Sequence, residues 1–131
     1  MKKFILAIVA IVLSAATLSA QDMAQATELY NNGATALQTG DKAGALDYFQ
    51  QALSMGKEIG EEADELVTNC KNAIPGVALS IAKDYIKDSK YDEALAQIEV
   101  ARGFAAEFEN EEIIAEIKEV IPALWAKKGG E

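Results

Sequence analysis

The stretch that decides the fold is residues 33–53, GATALQTGDKAGALDYFQQAL. Its small and apolar residues recur every three or four positions on both sides of Thr39-Gly40, which is the spacing of amphipathic helices and not of strands. Glycine suits the left-handed residue that closes a helix, and an aspartate such as Asp41 is a good cap for the next helix. The stretch therefore predicts two helices that turn back on each other at Gly40.

Apolar residues keep this helical spacing over the rest of the chain, and no stretch alternates as a strand would. The boundaries between the five predicted helices lie at Gly40, Glu61, residues 88–90 and Asn110. Pro75 interrupts the third apolar stripe, so this segment is either one kinked helix or two helices that meet near Ile74. The sequence therefore predicts an all-α domain of about five helices.

An internal repeat relates residues 33–52 to residues 82–101, at an offset of 49 positions. Small residues occupy the same places in both copies, so two antiparallel helices can approach closely, and a larger apolar residue fills the space between them. The matched pairs are Gly33 with Ala82, Ala45 with Ala94, and Phe49 with Ile98. Helix pairs that recur at a fixed offset are typical of a solenoid.

This pattern resembles the tetratricopeptide repeat family. The resemblance is carried by Gly33, Gly40, Ala45, Phe49 and Ala52 in the first copy, and by Ala82, Tyr85, Tyr91, Ala94 and Ala101 in the second. It implies a right-handed α-solenoid of antiparallel helix pairs. Because the repeat of that family is about 34 residues long, about 15 residues are extra. We place them between Gly60 and Ile74, where they lengthen the helices or add one.

The predicted repeat domain is residues 21–131. It divides into a first copy at about 26–57, an extended helical region at 60–74, a second copy at about 75–108, and a capping helix at 110–128. A lone last helix suits the end of a repeat stack. However, Trp125 followed by Gly129 is also how a new repeat of this family opens, so the chain is either natively short or a fragment of a longer array.

Residues 1–20 have the form of a secretory signal: a basic start at Lys2-Lys3, an apolar run over 4–13, and small residues up to Ala20. An uncleaved anchor is the alternative, but the apolar run falls short of the roughly 20 residues that span a bilayer. The only cysteine, Cys70, is far from the cut, which argues against a lipoprotein. We therefore expect a protein exported to the periplasm or the medium, with no stable membrane insertion after cleavage.

Charge and composition exclude several classes of function. The chain has 21 acidic and 12 basic residues, and loss of residues 1–20 would leave a net charge of −11, which disfavours nucleic acids and anionic membranes as partners. It has no histidine and one cysteine, so histidine-dependent catalytic sets and the usual zinc sites are excluded. We therefore predict no enzyme activity, no catalytic residues, no cofactor and no metal site.

Single residues of interest have structural interpretations. Cys70 shares an apolar face with Leu66 and Ile74, which predicts a buried thiol, and an intermolecular disulfide is the alternative. The acidic clusters at Glu61-Glu62, Asp92-Glu93 and 107–112 lie at predicted helix starts or on polar faces, which indicates solvated charge.

The family resemblance implies a groove, lined by the first helix of each pair, that holds an extended peptide or a helix of a partner protein. Carried over by spacing, the groove residues are Thr27, Tyr30, Ala34, Leu37 and Gln38 in the first copy, and Leu79, Lys83, Ile86 and Lys87 in the second. The alternative is that Tyr30 packs on the adjoining helix and the lysines belong to a solvated face. The leading hypothesis is a non-enzymatic exported adaptor. The other hypothesis is a self-associating structural module, paired near Trp125 and without a groove ligand.

Overall fold

A computed structural model describes the backbone of residues 2–129 and the side chains of residues 20–129. In this part of the chain, five α-helices follow one another: α1 (Lys2–Gln38), α2 (Lys42–Ile59), α3 (Asp64–Lys87), α4 (Tyr91–Glu107) and α5 (Glu111–Gly129). A 3₁₀ turn, Glu61–Ala63, leads into α3. Each helix packs antiparallel against the helix before it, so the predicted all-α class and helix number are confirmed.

The predicted signal falls on residues whose side chains lie outside the described part, apart from Ala20. Its cleavage therefore stays a prediction. Among the residues with described side chains, none of the helices is long and apolar enough to cross a membrane.

Local chemistry sets the helix ends where the sequence predicts them. Gly40 has a φ of +90°, in the left-handed region that glycine adopts without strain. The Asp41 carboxylate accepts a hydrogen bond from the Gly44 N–H at 2.9 Å and so caps α2. The Asn110 side chain accepts one from the Ile113 N–H at 3.1 Å and caps α5. Both caps satisfy backbone donors that a helix start leaves unpaired.

The turns after α1, α3 and α4 share one geometry. In each turn a residue with positive φ follows the helix, and the next N–H reaches back to the carbonyl five residues earlier. The three bonds, all 2.8 Å, join Asp41 to Ala36, Lys90 to Tyr85 and Asn110 to Ala105. The left-handed residues are Gly40, Ser89 (φ 60°) and Glu109 (φ 54°). Ser89 stands at the repeat equivalent of Gly40, so both copies of the repeat turn in the same way.

Two core clusters share α3. The first core cluster joins α1, α2 and α3: Ala26, Ala36, Ala45, Phe49, Ala52, Leu53, Leu66, Cys70, Ile74 and Val77. The second joins α3, α4 and α5: Ala78, Leu79, Ala82, Ala94, Ile98, Ala101, Ile117 and Leu124. Because α3 is one helix of 24 residues with Pro75 inside it, the alternative of two separate helices is excluded. The residues before Ile74 form the 3₁₀ turn and the first part of this helix.

Gly33 allows α1 and α2 to approach closely. A Cβ added at this position would lie 2.7 Å from the Cε1 atom of Phe49, which is closer than real side chains come. Phe49 is only 2% exposed and fills the space between the two helices. The role predicted for the small residue of the repeat is therefore confirmed at Gly33.

Candidate functional site

The groove residues predicted on α1 lie in two environments. Thr27 is half-buried, and its hydroxyl donates to the Met23 carbonyl at 2.8 Å. Tyr30 is half-buried against Phe49, with ring centroids 5.3 Å apart, which is the packing that the sequence analysis gave as the alternative. The others are more open: half-buried Ala34, Leu37 at 40% exposure, and exposed Gln38.

The groove residues predicted on α3 also differ in burial and in contacts. Leu79 is 1% exposed and belongs to the second core cluster, so its side chain is not available to a ligand in this structure. Lys87 is exposed. Lys83 and Ile86 point toward α5, where the Lys83 Nζ lies 3.0 Å from a carboxylate oxygen of Glu116. Of the nine predicted residues, these two are brought together in one depression of the surface.

This depression, which we call the α3–α5 cleft, lies between α3 and α5. It is lined by Lys83, Ile86, Val120, Ala123, Leu124 and Lys127. Leu124 is 1% exposed and closes the floor, while Ile86 and Val120 are half-buried and Ala123 is exposed. The cleft therefore offers an apolar floor with an ammonium group from each helix at its edge.

The sequence predicts α5 as a capping helix and assigns none of its residues to a site. A signal was present: Val120, Ala123, Leu124 and Lys127 follow the i, i+3, i+4, i+7 spacing of one helix face. Only the packing of α5 on α3 shows which partner that face meets.

Chemically, the α3–α5 cleft is suited to binding. Apolar side chains of a peptide or helix can be desolvated on its floor, and a carboxylate near Lys127 or Lys83 would gain a charge-assisted hydrogen bond. Lys83 already pairs with Glu116, so a partner would exchange one ion pair for another. Among the described residues, no three side chains of the metal-ligating types come together.

Cys70 is buried in the first core cluster with 0% exposure, as predicted. Burial in apolar surroundings disfavours the thiolate and raises the pKa of Cys70 to about 11. Since the thiolate is the nucleophilic form, this residue is inert in the folded protein.

A second groove lies on the other edge of α5, against α4. It is lined by Arg102, Ile114, Ile117, Lys118 and Ile121. Trp125 follows Ile121 by four positions, about one helical turn. It is 53% exposed and is the largest side chain among the exposed apolar residues of the described part. We call Ile114, Lys118, Ile121 and Trp125 the outer stripe of α5.

Comparison of the chain with protein-family models, with curated proteins and with solved structures gives no match.

Proposed function

We propose that this chain is a non-enzymatic, exported adaptor of the tetratricopeptide type, and that its α3–α5 cleft binds a peptide or helix of a partner protein. The observation that carries the proposal is the cleft itself. Two residues assigned to the groove from repeat spacing, Lys83 and Ile86, lie there on an apolar surface that is open to solvent.

The arrangement of the helices supports the same proposal. Besides the contacts between successive helices, α3 touches both α1 and α5. In a stack of helix pairs, the first helix of each pair meets the first helix of the next, and these helices line the inner surface. The positions of α1, α3 and α5 fit that role, which favours a right-handed solenoid.

The residues that line the cleft indicate which kind of partner segment it binds. With an apolar floor and lysines on two sides, it favours a segment that combines apolar and acidic side chains. The protein is strongly acidic outside this place, so long-range attraction of an acidic partner is weak and contact in the cleft must supply most of the affinity. An exported protein of the same compartment is the expected partner.

Site-specific photo-cross-linking tests the proposal in cells that produce the chain. A photoreactive amino acid at Ala123, exposed in the cleft, should yield a defined adduct with another protein. The matched control is the same amino acid at Ala96, which is exposed on α4 outside the cleft.

Lys127→Glu combined with Ala123→Glu should abolish the binding of the captured partner, while Ala96→Glu should leave it unchanged. Circular dichroism checks that each variant is folded. Equal adducts from positions 123 and 96, or binding that survives the cleft variant, would contradict the proposal.

A further inference from the structure

The outer stripe of α5 presents apolar surface that no helix of the described structure covers. Trp125 is 53% exposed, and Ile114 and Ile121 are half-buried beside the groove between α4 and α5. A tryptophan exposed to this degree beside a groove lined by three isoleucines is a surface feature typical of protein interfaces.

The charges along α5 indicate what covers this surface. The helix has Glu111 and Glu112 in its first turn and Lys127 and Lys128 in its last. Glu111 and Lys128 continue the outer stripe at its two ends, because the spacing from 111 through 114, 118, 121 and 125 to 128 alternates between three and four. An identical stripe laid on it in the antiparallel sense has opposite charges at both ends.

From this complementarity we propose that the occupant is a second copy of this chain, and that two α5 helices pair antiparallel through their outer stripes about a twofold axis. In the register that sets Trp125 against Ile114 of the other copy, Glu111 faces Lys128 and Lys118 faces Ile121. The indole then enters the groove between α4 and α5, near the cations of Arg102 and Lys118.

The symmetry makes every contact occur twice. Trp125 and Ile114 are separated by eleven positions, about 16 Å along a helix, so the two indole contacts sit at opposite ends of the seam. In the single chain, the Lys128 Nζ pairs with Asp92 of α4 and lies 5.4 Å from the centroid of the Trp125 ring. In the dimer it bridges Asp92 and Glu111 of the other copy.

The net charge of α5 is compatible with this pairing. Between Glu111 and Gly129 there are four acidic and three basic residues, so α5 carries −1 of the −11 expected for the exported chain. Two copies that meet through α5 therefore bring together helices with little net charge, so the repulsion between the paired helices is small.

This proposal is independent of ligand binding in the α3–α5 cleft, because that cleft lies on the other edge of α5. If both hold, the dimer carries two clefts and binds a bivalent partner with increased avidity.

Sedimentation of the chain purified from producing cells, over a range of concentrations, tests the dimer. Trp125 is the only tryptophan, so its emission should shift to shorter wavelength as the dimer forms. Trp125→Ala should raise the dimer Kd by about 30-fold or more, because it removes an aromatic anchor from both ends of the seam. The control is Leu37→Ala, which shortens an exposed apolar side chain of α1 and should leave the Kd unchanged.

A charge exchange tests the register. Glu111→Lys and Lys128→Glu should each weaken the dimer, because each variant sets like charges against each other twice. A mixture of the two variants should form a heterodimer at least as tight as the wild-type dimer, since each lysine at positions 111 and 128 then faces a glutamate. A change that merely harmed α5 would not be rescued by mixing.

A monomer at all concentrations with constant tryptophan emission would overturn the proposal. A dimer that is insensitive to Trp125→Ala, or charge variants that mixing does not rescue, would overturn it as well.

Discussion

At the scale of single residues, the fold depends on where side chains are small. Gly33 lets the Phe49 ring lie against the backbone of α1, and Ala45, Ala82 and Ala94 are fully buried where helices meet. These roles could be predicted from the repeat, because residue size at matched positions is visible in the sequence. The burial of Leu79 could not, since its face is fixed by the packing of α4 and α5 on α3.

Gly33→Ala should destabilise the protein by about 1 kcal/mol. The new methyl group would overlap Phe49, and overpacking of this kind costs about 1–3 kcal/mol. The better helix propensity of alanine offsets up to about 1 kcal/mol of this cost. Urea denaturation measures the change. Gly103→Ala in α4, where an added Cβ meets nothing within 4 Å, should instead stabilise, and two variants of equal stability would contradict the close approach.

Cys70 should make the stability fall at alkaline pH. Its pKa is about 11 in the folded protein against 9.0 as the reference value, so the unfolded chain loses the thiol proton first. The thiol therefore makes its full contribution to the free energy of unfolding below about pH 9. About 2 kcal/mol of that free energy is lost as the pH rises toward 11. The difference in unfolding free energy between the wild type and Cys70→Ala, measured from pH 8 to 11, isolates this effect from other titrating groups. A difference that is constant with pH would refute it.

At the scale of elements, the helices and turns could be predicted from local chemistry, whereas the α3–α5 cleft could be predicted only in part. The caps of Asp41 and Asn110 depend on neighbours in sequence, so they could be predicted. The left-handed residues Ser89 and Glu109 could not, because neither is a type that favours this conformation and only the closing hydrogen bonds reveal it. The α3–α5 cleft depends on contact between distant segments, so the repeat spacing predicts only the cleft residues on α3.

Ser89→Gly and Glu109→Gly should each stabilise the protein by about 0.5–1 kcal/mol, since glycine adopts positive φ without the steric cost of a Cβ atom. Thermal unfolding followed by circular dichroism measures the gain. Gly40→Ala, at the equivalent turn after α1, serves as the reverse control and should destabilise. If all three substitutions act in the same direction, the shared turn geometry is wrong.

Pro122→Ala should stabilise α5. The proline is exposed within the helix, so its replacement restores a backbone hydrogen bond without loss of packing, and the gain is up to about 3 kcal/mol locally. Slower amide hydrogen exchange in α5 is the expected result. The buried Pro75 is the comparison, because Pro75→Ala also removes a packed ring from the core and should gain less. Unchanged exchange in α5 would contradict the expectation.

At the scale of the whole molecule, the long helix α3 joins the two core clusters. None of the described residues is a buried polar or charged residue. Their ionic groups lie at the surface, where ion pairs such as Lys42 with Asp84, at 2.8 Å, contribute little to stability. Apolar packing between neighbouring helices therefore provides most of the stability.

We expect the exported molecule to lack residues 1–20. Protein recovered from the periplasm or the medium of producing cells should begin at Gln21, as read by N-terminal sequencing, because small residues up to Ala20 suit the signal peptidase. Ala20→Arg should retain the longer precursor. A protein that keeps residues 1–20 and stays inside the cell would contradict the proposed location.

The packing of each helix against the one before it also has a consequence for the time order of folding. The chain leaves a ribosome or a translocation channel with its N-terminal end first, and each helix from α2 to α5 packs against the helix that emerged just before it. All buried members of the first core cluster lie before Ala78, and from α4 only the partly buried Phe104 and Phe108 pack against it. Most of this half can therefore close while α4 and α5 are still inside the channel. Contacts that are local in sequence form quickly, so synthesis and folding can proceed together, and little apolar surface waits unpaired for a distant segment.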